Sequence, residues 1–450
     1  MSYTEDTLAG LRRSSPGQDE FFQAVEEILQ SLAPLLDSDP RYRRERIIER
    51  IVEPERQIIF RVPWVDDEGT IQVNKGYRVQ FSSTLGPVKG GLRFHPAVNG
   101  GVIKFLGFEQ IFKNALTGLP LGGGKGGANF NPKQRSNSEI MRFCQSFMTE
   151  LYRHVGPTTD VPAGDIGVGV REIGYLFGQY KRLTGRFDGA LTGKRFSWGG
   201  ALGRKEATGY GAVYFAEEML RARGEGLDGM TCTVSGAGNV AIHTVEKLLE
   251  MGATPVAVSD STGLVHDEGG IDLEVLKQVK EVEREGLESY VRERSEARFV
   301  PVSDYPKGGH AIWAIPCDAA FPSATQNELT FLDAKTLVNN GCRCVCEGAN
   351  MPATPEASKF LGDSRISYGP GKAANAGGVA ASQLEMSQNA AMQQWTMEEV
   401  DSRLRVIMAK IHTTVSEAAE EFGEPGDLVR GANIAGFRKV ADAMIDQGVV

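Results

Sequence analysis

Thr231-Cys-Thr-Val-Ser-Gly236-Ala-Gly238-Asn-Val-Ala241 joins a short apolar run to the start of an amphipathic segment. Residues 231–234 predict a buried strand and residues 239–251 a helix, so both glycines fall in the turn between them. In that context the pattern G-x-G-x-x-A is the fingerprint of a dinucleotide site, where the pyrophosphate lies at the helix N-terminus. The alternative is a tight turn that binds no nucleotide.

An acidic residue follows the next predicted strand, at 255–258. Asp260 comes 260 − 236 = 24 residues after Gly236, close to the spacing of about 20 at which such an acid binds the cofactor ribose. Its sequence neighbours are hydroxyl or basic residues: Ser259, Ser261, Lys277 and Lys280. Because hydroxyls and a lysine can hold a 2′-phosphate, the residues alone leave NAD and NADP open.

The rest of the second half continues this alternation of strands and helices. A charged, helix-like segment at 272–298 precedes apolar runs at 311–315, 342–346 and 366–368. Alternating β and α segments predict a parallel, doubly wound sheet with ligands beyond the carboxyl ends of its strands. The loops expected there are polar: 323–327, 347–352 and 369–378.

The first half has a different pattern, with helices before residue 54, strands at 57–65 and 71–81, and helices at 102–116 and after Ser136. We therefore expect an α/β protein with two domains. An α+β domain covers 1–199, and a Rossmann-type dinucleotide-binding domain covers 200–424.

Residues 70–128 form a cationic stretch in an acidic chain. Seven Lys and Arg against one Glu give 7 − 1 = +6, whereas the whole chain of 450 residues carries 49 − 58 = −9. Such a local excess favours an anionic ligand, and the alternative is a basic surface patch. The seven cations are Lys75, Arg78, Lys89, Arg93, Lys104, Lys113 and Lys125.

Glycines on both sides of Lys89 and Lys125 favour the ligand interpretation, because they let the backbone approach a ligand closely. Lys125 lies in Gly122-Gly-Gly-Lys125-Gly-Gly127. This is not a Walker A loop, since Leu119 and Gly126 occupy the positions that need Gly and Ser or Thr.

Two further groups of residues complete the candidate site. Gln110, Lys113 and Asn114 fall at i, i+3 and i+4 of a predicted helix, and this stripe can offer two donors and an ammonium to a carboxylate. Asp165 is a candidate proton carrier if lysines lie near it, because neighbouring charges tune its pKa. Alternatively, Asp165 is a turn residue, and Asp160 is a second candidate acid.

Composition limits the class of protein. The acidic balance argues against nucleic-acid binding, and no apolar run approaches the ~20 residues that span a bilayer. The first residues have no apolar stretch typical of a secretory signal, and six cysteines fit reduced thiols in a cytoplasmic protein. Cys342, Cys344 and Cys346 alternate along a predicted strand and match no zinc spacing.

The chain resembles the hexameric glutamate dehydrogenases of the short NADP type, within the Glu/Leu/Phe/Val dehydrogenase superfamily. The resemblance covers nearly the whole chain. It rests on several motifs in order: Arg78-Val-Gln-Phe-Ser-Ser83, Lys89-Gly-Gly-Leu-Arg-Phe-His-Pro96, Lys104-Phe-Leu-Gly-Phe-Glu-Gln110, Gly122-Gly-Gly-Lys125-Gly-Gly127, Asp160-Val-Pro-Ala-Gly-Asp165, Glu206-Ala-Thr-Gly-Tyr-Gly211, Ala324-Thr-Gln-Asn-Glu328, Glu347-Gly-Ala-Asn-Met351 and Pro370-Gly-Lys-Ala-Ala-Asn-Ala-Gly-Gly378.

The resemblance implies a cytoplasmic homohexamer without a metal, which converts L-glutamate reversibly to 2-oxoglutarate and ammonium with NADP in preference to NAD. It also implies that the domain 1–199, joined by a C-terminal helix at 425–450, serves substrate binding and oligomerisation, and that the active-site cleft lies between the two domains. It implies that Lys125 activates water and that Asp165 moves protons. Lys89 and Ser382 would hold the side-chain carboxylate, Gln110 and Lys113 the α-carboxylate, and Gly164 would lie near the amino group. The implied cofactor contacts are Thr208, Gly236, Gly238, Asn239, Val240, Ser259, Asp260, Ser261, Ala324, Thr325, Asn350 and Asn375.

Three other functions remain as alternatives beside an NAD-preferring enzyme. A leucine- or phenylalanine-type dehydrogenase needs an apolar pocket, where Lys89 and Ser382 would stay unpaired at a cost of about 1–3 kcal/mol each. A catalytically inactive glutamate-binding relative does not need both Lys125 and Asp165. A nucleotide-dependent kinase or ligase is disfavoured by the failed Walker A match.

Overall fold

The computed structural model describes residues 3–14, 17–364, 366–422 and 424–450. By its internal contacts the described chain divides into two compact units. The first comprises Met1–Leu202, Ala381–Met397 and Asn433–Val450, and the second Gly203–Ala380 and Glu398–Ala432. The domain boundaries expected at 199/200 and 424/425 stay predictions.

The first unit is built on a five-stranded mixed sheet with the order β1-β2-β4-β3-β5. Strands β1 and β2 pair antiparallel, as do β2 and β4, whereas β3 runs parallel to both β4 and β5. The strands are β1 (Arg56–Val65), β2 (Ile71–Ser82), β3 (Val88–Phe94), β4 (Gly123–Ala128) and β5 (Asp160–Gly164). The helices are α1 (Tyr3–Ser14), α2 (Asp19–Ser38), α3 (Pro40–Arg44), α4 (Ile47–Ile51), α5 (Gly100–Leu116), α6 (Asn137–Leu151) and α7 (Val170–Thr184).

Helix α6 shows how the sequence produces this packing. The predicted capping box forms, since Ser136 Oγ accepts the Glu139 N–H at 3.1 Å and Glu139 Oε2 accepts the Ser136 N–H at 2.9 Å. The buried residues of α6 recur at helical spacing, which turns one apolar face toward the sheet. Phe143 of that face stacks on Phe130 with ring centroids 3.8 Å apart, within an aromatic core.

The second unit contains a seven-stranded sheet with the order β12-β11-β10-β6-β7-β8-β9. The strands are β6 (Thr231–Val234), β7 (Thr254–Ser259), β8 (Gly263–His266), β9 (Arg298–Pro301), β10 (Ala319–Phe321), β11 (Cys344–Cys346) and β12 (Ser367–Gly369). Strands β6, β7, β10, β11 and β12 pair in parallel. The predicted parallel sheet is confirmed for these five strands, and β8 and β9 extend one edge by antiparallel pairing.

The remaining helices are α8 (Ala207–Arg221), α9 (Asn239–Glu250), α10 (Leu273–Lys277), α11 (Tyr290–Glu293), α12 (Phe331–Asn339), α13 (Pro355–Asp363), α14 (Gly371–Ala374), α15 (Gly377–Ala391), α16 (Met397–Glu421) and α17 (Leu428–Gln447). Helices α15 and α17 have residues in both units.

Two segments differ in detail from the sequence pattern. The helix-like segment 272–298 is helical in parts: α10 passes into a π-helical turn that ends at Arg284, which adopts the left-handed conformation with φ 61°, and α11 follows. The apolar run 311–315 forms a 3-10 turn, because His310 Nδ1 accepts the Ile312 N–H at 3.2 Å and caps it. The strand lies further on, in β10.

Three findings concern membranes, thiols and metals. No helix in the described ranges combines the length and the apolar character needed to cross a bilayer. All six cysteines are buried free thiols. Among the described residues, no three His, Cys, Asp or Glu side chains are grouped as a metal site.

Candidate active site

The catalytic candidates of the first unit lie on three adjacent parallel strands. Lys89 and Arg93 belong to β3, Lys125 to β4, and Asp165 directly follows β5. The glycine-rich segment around Lys125 forms a strand, although its composition suggested a flexible loop. A Cβ on Gly90 would overlap the carbonyl oxygen of Gly124, so glycine is required for these strands to approach each other.

Asp165 lies between two cations. Its Oδ2 accepts Arg93 Nε at 2.7 Å and is 3.2 Å from Lys125 Nζ. A Cβ on Gly91 would lie 2.8 Å from Asp165 Cβ and 3.3 Å from Lys125 Nζ, so Gly91 leaves the space in which the two groups meet. The structure therefore brings together the two predicted catalytic residues.

The local charges and burial move the pKa of both groups downward. Burial lowers the pKa of Lys125, the Arg93 charge lowers it further, and Asp165 opposes both. Burial raises the pKa of Asp165, but the Lys125 and Arg93 charges outweigh burial and bring it to about 2. Asp165 is therefore a carboxylate at neutral pH, and Lys125 holds its proton less firmly than an exposed lysine.

Lys89 is a buried lysine at the start of β3. Its Nζ donates to the hydroxyl of Thr192 at 2.8 Å and to the carbonyl of Val161 at 3.0 Å. Ser382, the predicted companion of Lys89, is buried on α15 in the part of that helix that belongs to the first unit. Both predicted binders of the side-chain carboxylate therefore lie in the same unit.

The predicted stripe on α5 divides into two roles. Gln110 Nε2 donates to Asn114 Oδ1 at 2.7 Å, and Gln110 and Lys113 are half-buried. Asn114 is fully buried, and its amide donates to the carbonyls of Lys89, at 3.1 Å, and of Gly122. Asn114 thus fixes α5 to the sheet, and its two donor hydrogens are used by the backbone.

Three of the seven cations lie outside the candidate site. Arg78 is fully buried and pairs with Asp160, with Nε 2.8 Å from Oδ2. Lys104 is buried 3.6 Å from Glu53 and 4.5 Å from the ring centroid of Phe21. Lys75 is exposed on β2. Asp160, the second candidate acid, is therefore part of a buried structural ion pair.

In the second unit the glycine-rich turn has the geometry expected of a dinucleotide site. Gly236 adopts φ +88°, and its N–H donates to Ser259 Oγ at 3.0 Å. Gly238 and Asn239 are exposed at the start of α9, and Val240 is half-buried. The first N–H groups of this twelve-residue helix therefore present a partial positive charge, which suits a pyrophosphate.

The other predicted cofactor contacts lie in the loops after β10 and β11, directly after α14, and on α8. Ala324, Thr325 and Asn350 are exposed, whereas Asn375 is buried and donates to Ala349 O at 2.8 Å and Asn350 Oδ1 at 2.9 Å. Thr208 is half-buried on α8, where a Cβ on Gly378 would collide with its hydroxyl. Asn375 thus holds the loop of Asn350 in place.

Asp260 is hydrogen-bonded by its own loop and by the helical segment that follows β8. Its Oδ2 lies 2.6 Å from Lys280 Nζ and accepts the Leu287 N–H at 3.1 Å, and its Oδ1 accepts both donors of Thr262. Although burial raises the pKa of Asp260, the bonds to Lys280 and Thr262 lower it. Lys277 instead pairs with Glu246 at 2.6 Å, and Ser261 is exposed.

Sequence reasoning missed some residues of the site. Arg93 was counted only as a charge, and its place in the Lys89-to-Pro96 motif gave no sign that it holds Asp165. Thr192 was not considered, because its contact with Lys89 joins residues 103 positions apart. Glu347 is buried with its pKa raised by burial to about 7, and its Oε2 accepts the Gly371 N–H at 2.7 Å.

Comparisons with known proteins agree with this geometry. Residues 199–448 match the family model described as Glutamate/Leucine/Phenylalanine/Valine dehydrogenase, and residues 54–182 match the Glu/Leu/Phe/Val dehydrogenase dimerisation domain. A curated relative, the NADP-specific glutamate dehydrogenase of Helicobacter pylori strain J99, is 62% identical over 99% of this chain and 100% of its own length.

Two solved structures are also similar to the chain. Plasmodium falciparum glutamate dehydrogenase is 50% identical with a TM-score of 0.95, covering 99% of this chain and 95% of that one. Hetero-hexameric glutamate dehydrogenase from Thermus thermophilus, in a Leu-bound form, is 27% identical with a TM-score of 0.82, over 95% of this chain and 98% of that one. The chain belongs to the Glu/Leu/Phe/Val dehydrogenase family.

Proposed function

We propose that this chain is an NADP-dependent glutamate dehydrogenase that converts L-glutamate reversibly to 2-oxoglutarate and ammonium. The observation that carries the proposal is the buried Lys125–Asp165 pair, 3.2 Å apart, on the same sheet as the buried Lys89. Full-length similarity to NADP-specific glutamate dehydrogenases supports the same activity.

The charges of the first unit complement those of glutamate, which has two carboxylates and one ammonium. Lys89 and Ser382 bind the side-chain carboxylate, and Gln110 and Lys113 bind the α-carboxylate. The backbone at Gly164, beside Asp165, lies near the amino group. Charge-assisted hydrogen bonds of this kind are about twice as strong as neutral ones, which favours a dicarboxylate over an apolar amino acid.

Proton transfer is assigned to two side chains. In glutamate oxidation, Lys125 in its neutral form accepts a proton from the water that attacks the imine carbon, and its lowered pKa makes that form more accessible than in an exposed lysine. Asp165 carries protons to and from the substrate nitrogen. Arg93 keeps Asp165 oriented, since its Nε donates to Oδ2 and leaves Oδ1 for the substrate side.

NADP, when bound, accepts hydride from the α-carbon of glutamate or returns it. The N-terminus of α9, with Gly236, Gly238, Asn239 and Val240, holds the pyrophosphate. Near the ribose, Lys280 already neutralises Asp260, so a 2′-phosphate is not repelled there and Ser261 can donate to it. The other proposed contacts of the cofactor are Thr208, Ser259, Ala324, Thr325, Asn350 and Asn375.

We also propose that the chain assembles as a homohexamer. Support comes from the first two strands, where Ile59, Ile71 and Val73 are 60%, 72% and 60% exposed. Apolar side chains so exposed on neighbouring strands are typical of a subunit contact. They lie in the segment that matches a dimerisation domain, and one similar enzyme is hetero-hexameric.

The activity is tested by NADPH oxidation with 2-oxoglutarate and ammonium, with NADH in parallel and each substrate omitted in turn. We expect turnover only with all three components. The kcat/KM should favour NADPH by about 10- to 100-fold, because one or two charge-assisted bonds to the 2′-phosphate are worth about 1.5–3 kcal/mol. A folded protein without turnover would support the inactive-relative alternative, and an NADH preference would overturn the cofactor assignment.

Asp165→Asn should lower kcat by about 10²- to 10⁴-fold, the usual range for loss of a positioned proton carrier. In glutamate oxidation, where Lys125 acts as a neutral base, activity should rise with pH. The Asp165 charge raises the pKa of Lys125, so its removal should also shift this rise to lower pH. The pH profile of kcat for glutamate oxidation, with NADPH binding followed by fluorescence as a control, measures both effects. A variant within tenfold of the native kcat would exclude this role for Asp165.

A further inference from the structure

Glu385 and Lys194 form a buried ion pair in the first unit to which no role has been assigned. Lys194 Nζ lies 3.0 Å from Glu385 Oε1, and both side chains are almost completely buried. The carboxylate also accepts two backbone N–H groups, from Gly193 at 2.9 Å and from Lys194 at 3.3 Å. Glu385 therefore fixes a short loop by three bonds.

One side of this loop contacts Lys89. Thr192, the residue before Gly193, is fully buried and accepts a hydrogen bond from Lys89 Nζ at 2.8 Å. Its own N–H donates to Pro162 O at 3.0 Å. The position of the Lys89 ammonium therefore depends on the backbone that Glu385 holds.

Glu385, the acidic partner of the ion pair, lies on α15. Glu385 follows Ser382 by three residues on this helix, so the two side chains share one face. Residues Ala381–Met397 belong to the same unit as Lys89 and Thr192. Glu385 thus ties the turn of α15 that carries Ser382 to the loop that contacts Lys89.

We infer that Glu385, with Lys194, is a positioning residue that sets the geometry of the subsite for the substrate's side-chain carboxylate. This inference rests on the proposed function, because it takes Lys89 and Ser382 as the two binders of that carboxylate. The paired charges of Lys194 and Glu385 cancel, so the pair determines distances rather than the net charge of the subsite. Glu385 does not touch substrate.

The direction in which Glu385→Gln changes the KM for 2-oxoglutarate distinguishes a positioning role of Glu385 from a direct electrostatic role. The amide leaves the Lys194 charge uncompensated, and by charge alone this would tighten carboxylate binding. Loss of position instead weakens it. We expect the KM for 2-oxoglutarate to rise about 10- to 100-fold, the range for weakening a charge-assisted hydrogen bond to the carboxylate, with kcat and the KM for NADPH changing less than about threefold.

Substrate discrimination gives a second readout. Norvaline has the carbon chain of glutamate with a methyl group in place of the terminal carboxylate. In Glu385→Gln the glutamate-to-norvaline ratio of kcat/KM should therefore fall by the same factor by which the KM for 2-oxoglutarate rises. Glu139→Gln is the matched control, since Glu139 is also buried in this unit, pairs with Arg135 at 3.0 Å and accepts a backbone N–H. That variant should keep the native KM and ratio.

If Glu385→Gln does not fold, the double variant Lys194→Met/Glu385→Leu takes its place in the test. Apolar replacement of a buried ion pair is commonly neutral or stabilising. The double variant should also raise the KM for 2-oxoglutarate. Native protein that shows no turnover refutes the proposed function. Active native protein, with variants that retain the native KM and ratio, refutes the positioning role alone.

Discussion

Lys125→Ala should lower kcat by about 1,000-fold or more while the protein remains folded. The variant removes the group that accepts the proton of water, worth about 10²- to 10⁴-fold. It also removes a buried positive charge beside the reacting atoms, worth about 10²- to 10³-fold by analogy with a lost electrostatic donor. Initial rates of NADP reduction with glutamate, the direction in which water attacks the imine carbon, give kcat, and circular dichroism with thermal unfolding reports the fold.

Lys125→Arg distinguishes proton transfer from charge. Arginine keeps the positive charge but does not lose its proton in proteins, so a proton-transfer role predicts that this variant is also inactive. A purely electrostatic role predicts that much of the activity returns. Lys104→Met is the matched control, because Lys104 is equally buried, its pKa is also lowered by burial, and it lies outside the site.

The pH dependence of the native enzyme follows from the same assignment. In glutamate oxidation Lys125 acts in its neutral form, so kcat in that direction should rise with pH and level off above the pKa of Lys125. Because burial lowers that pKa, the plateau should be reached below the ordinary lysine range. A native kcat that is flat with pH, or a Lys125→Ala variant within tenfold of native, would contradict the assignment.

Local sequence was enough to predict the dinucleotide half of the site. The strand, the two glycines and the helix of 231–250 are contiguous, and each part has its own signal. The same holds for the capping box that starts α6. The strand formed by the glycines around Lys125 was harder to predict from sequence. A strand made mostly of glycine lacks the β-branched residues that are typical of strands.

Contacts between distant parts of the chain could not be predicted. Lys194 and Glu385 are 191 positions apart, and no local pattern in either segment indicates the other. The excess of +6 over 70–128 was a correct observation, but charge counting does not separate ligand-binding cations from structural ones. Arg78 and Lys104 differ from Lys89 and Lys125 only in which side chains the fold places beside them.

Lys89→Leu should lower kcat/KM for glutamate by about 10²- to 10⁴-fold. The substrate's side-chain carboxylate would then be buried without its cation, and breaking a buried charge pair in this way costs about 3–5 kcal/mol. For norvaline the cost is absent, since an apolar chain meets leucine instead of an ammonium. The kcat/KM for norvaline should therefore stay constant or rise, and the ratio of the two substrates reports the change.

Lys89→Leu should also lower the stability of the folded protein, for a reason that is separate from substrate binding. Lys89 Nζ donates to the Val161 carbonyl at 3.0 Å and to the Thr192 hydroxyl at 2.8 Å, and leucine removes both hydrogen bonds at a cost of about 1–3 kcal/mol. Thermal unfolding should register this loss, while the KM for NADPH stays unchanged. A leucine- or phenylalanine-type dehydrogenase would behave differently, because its native form already prefers norvaline and gains nothing from the substitution. If Lys89→Leu turns over glutamate as fast as the native protein does, the assignment of Lys89 to the side-chain carboxylate subsite is wrong.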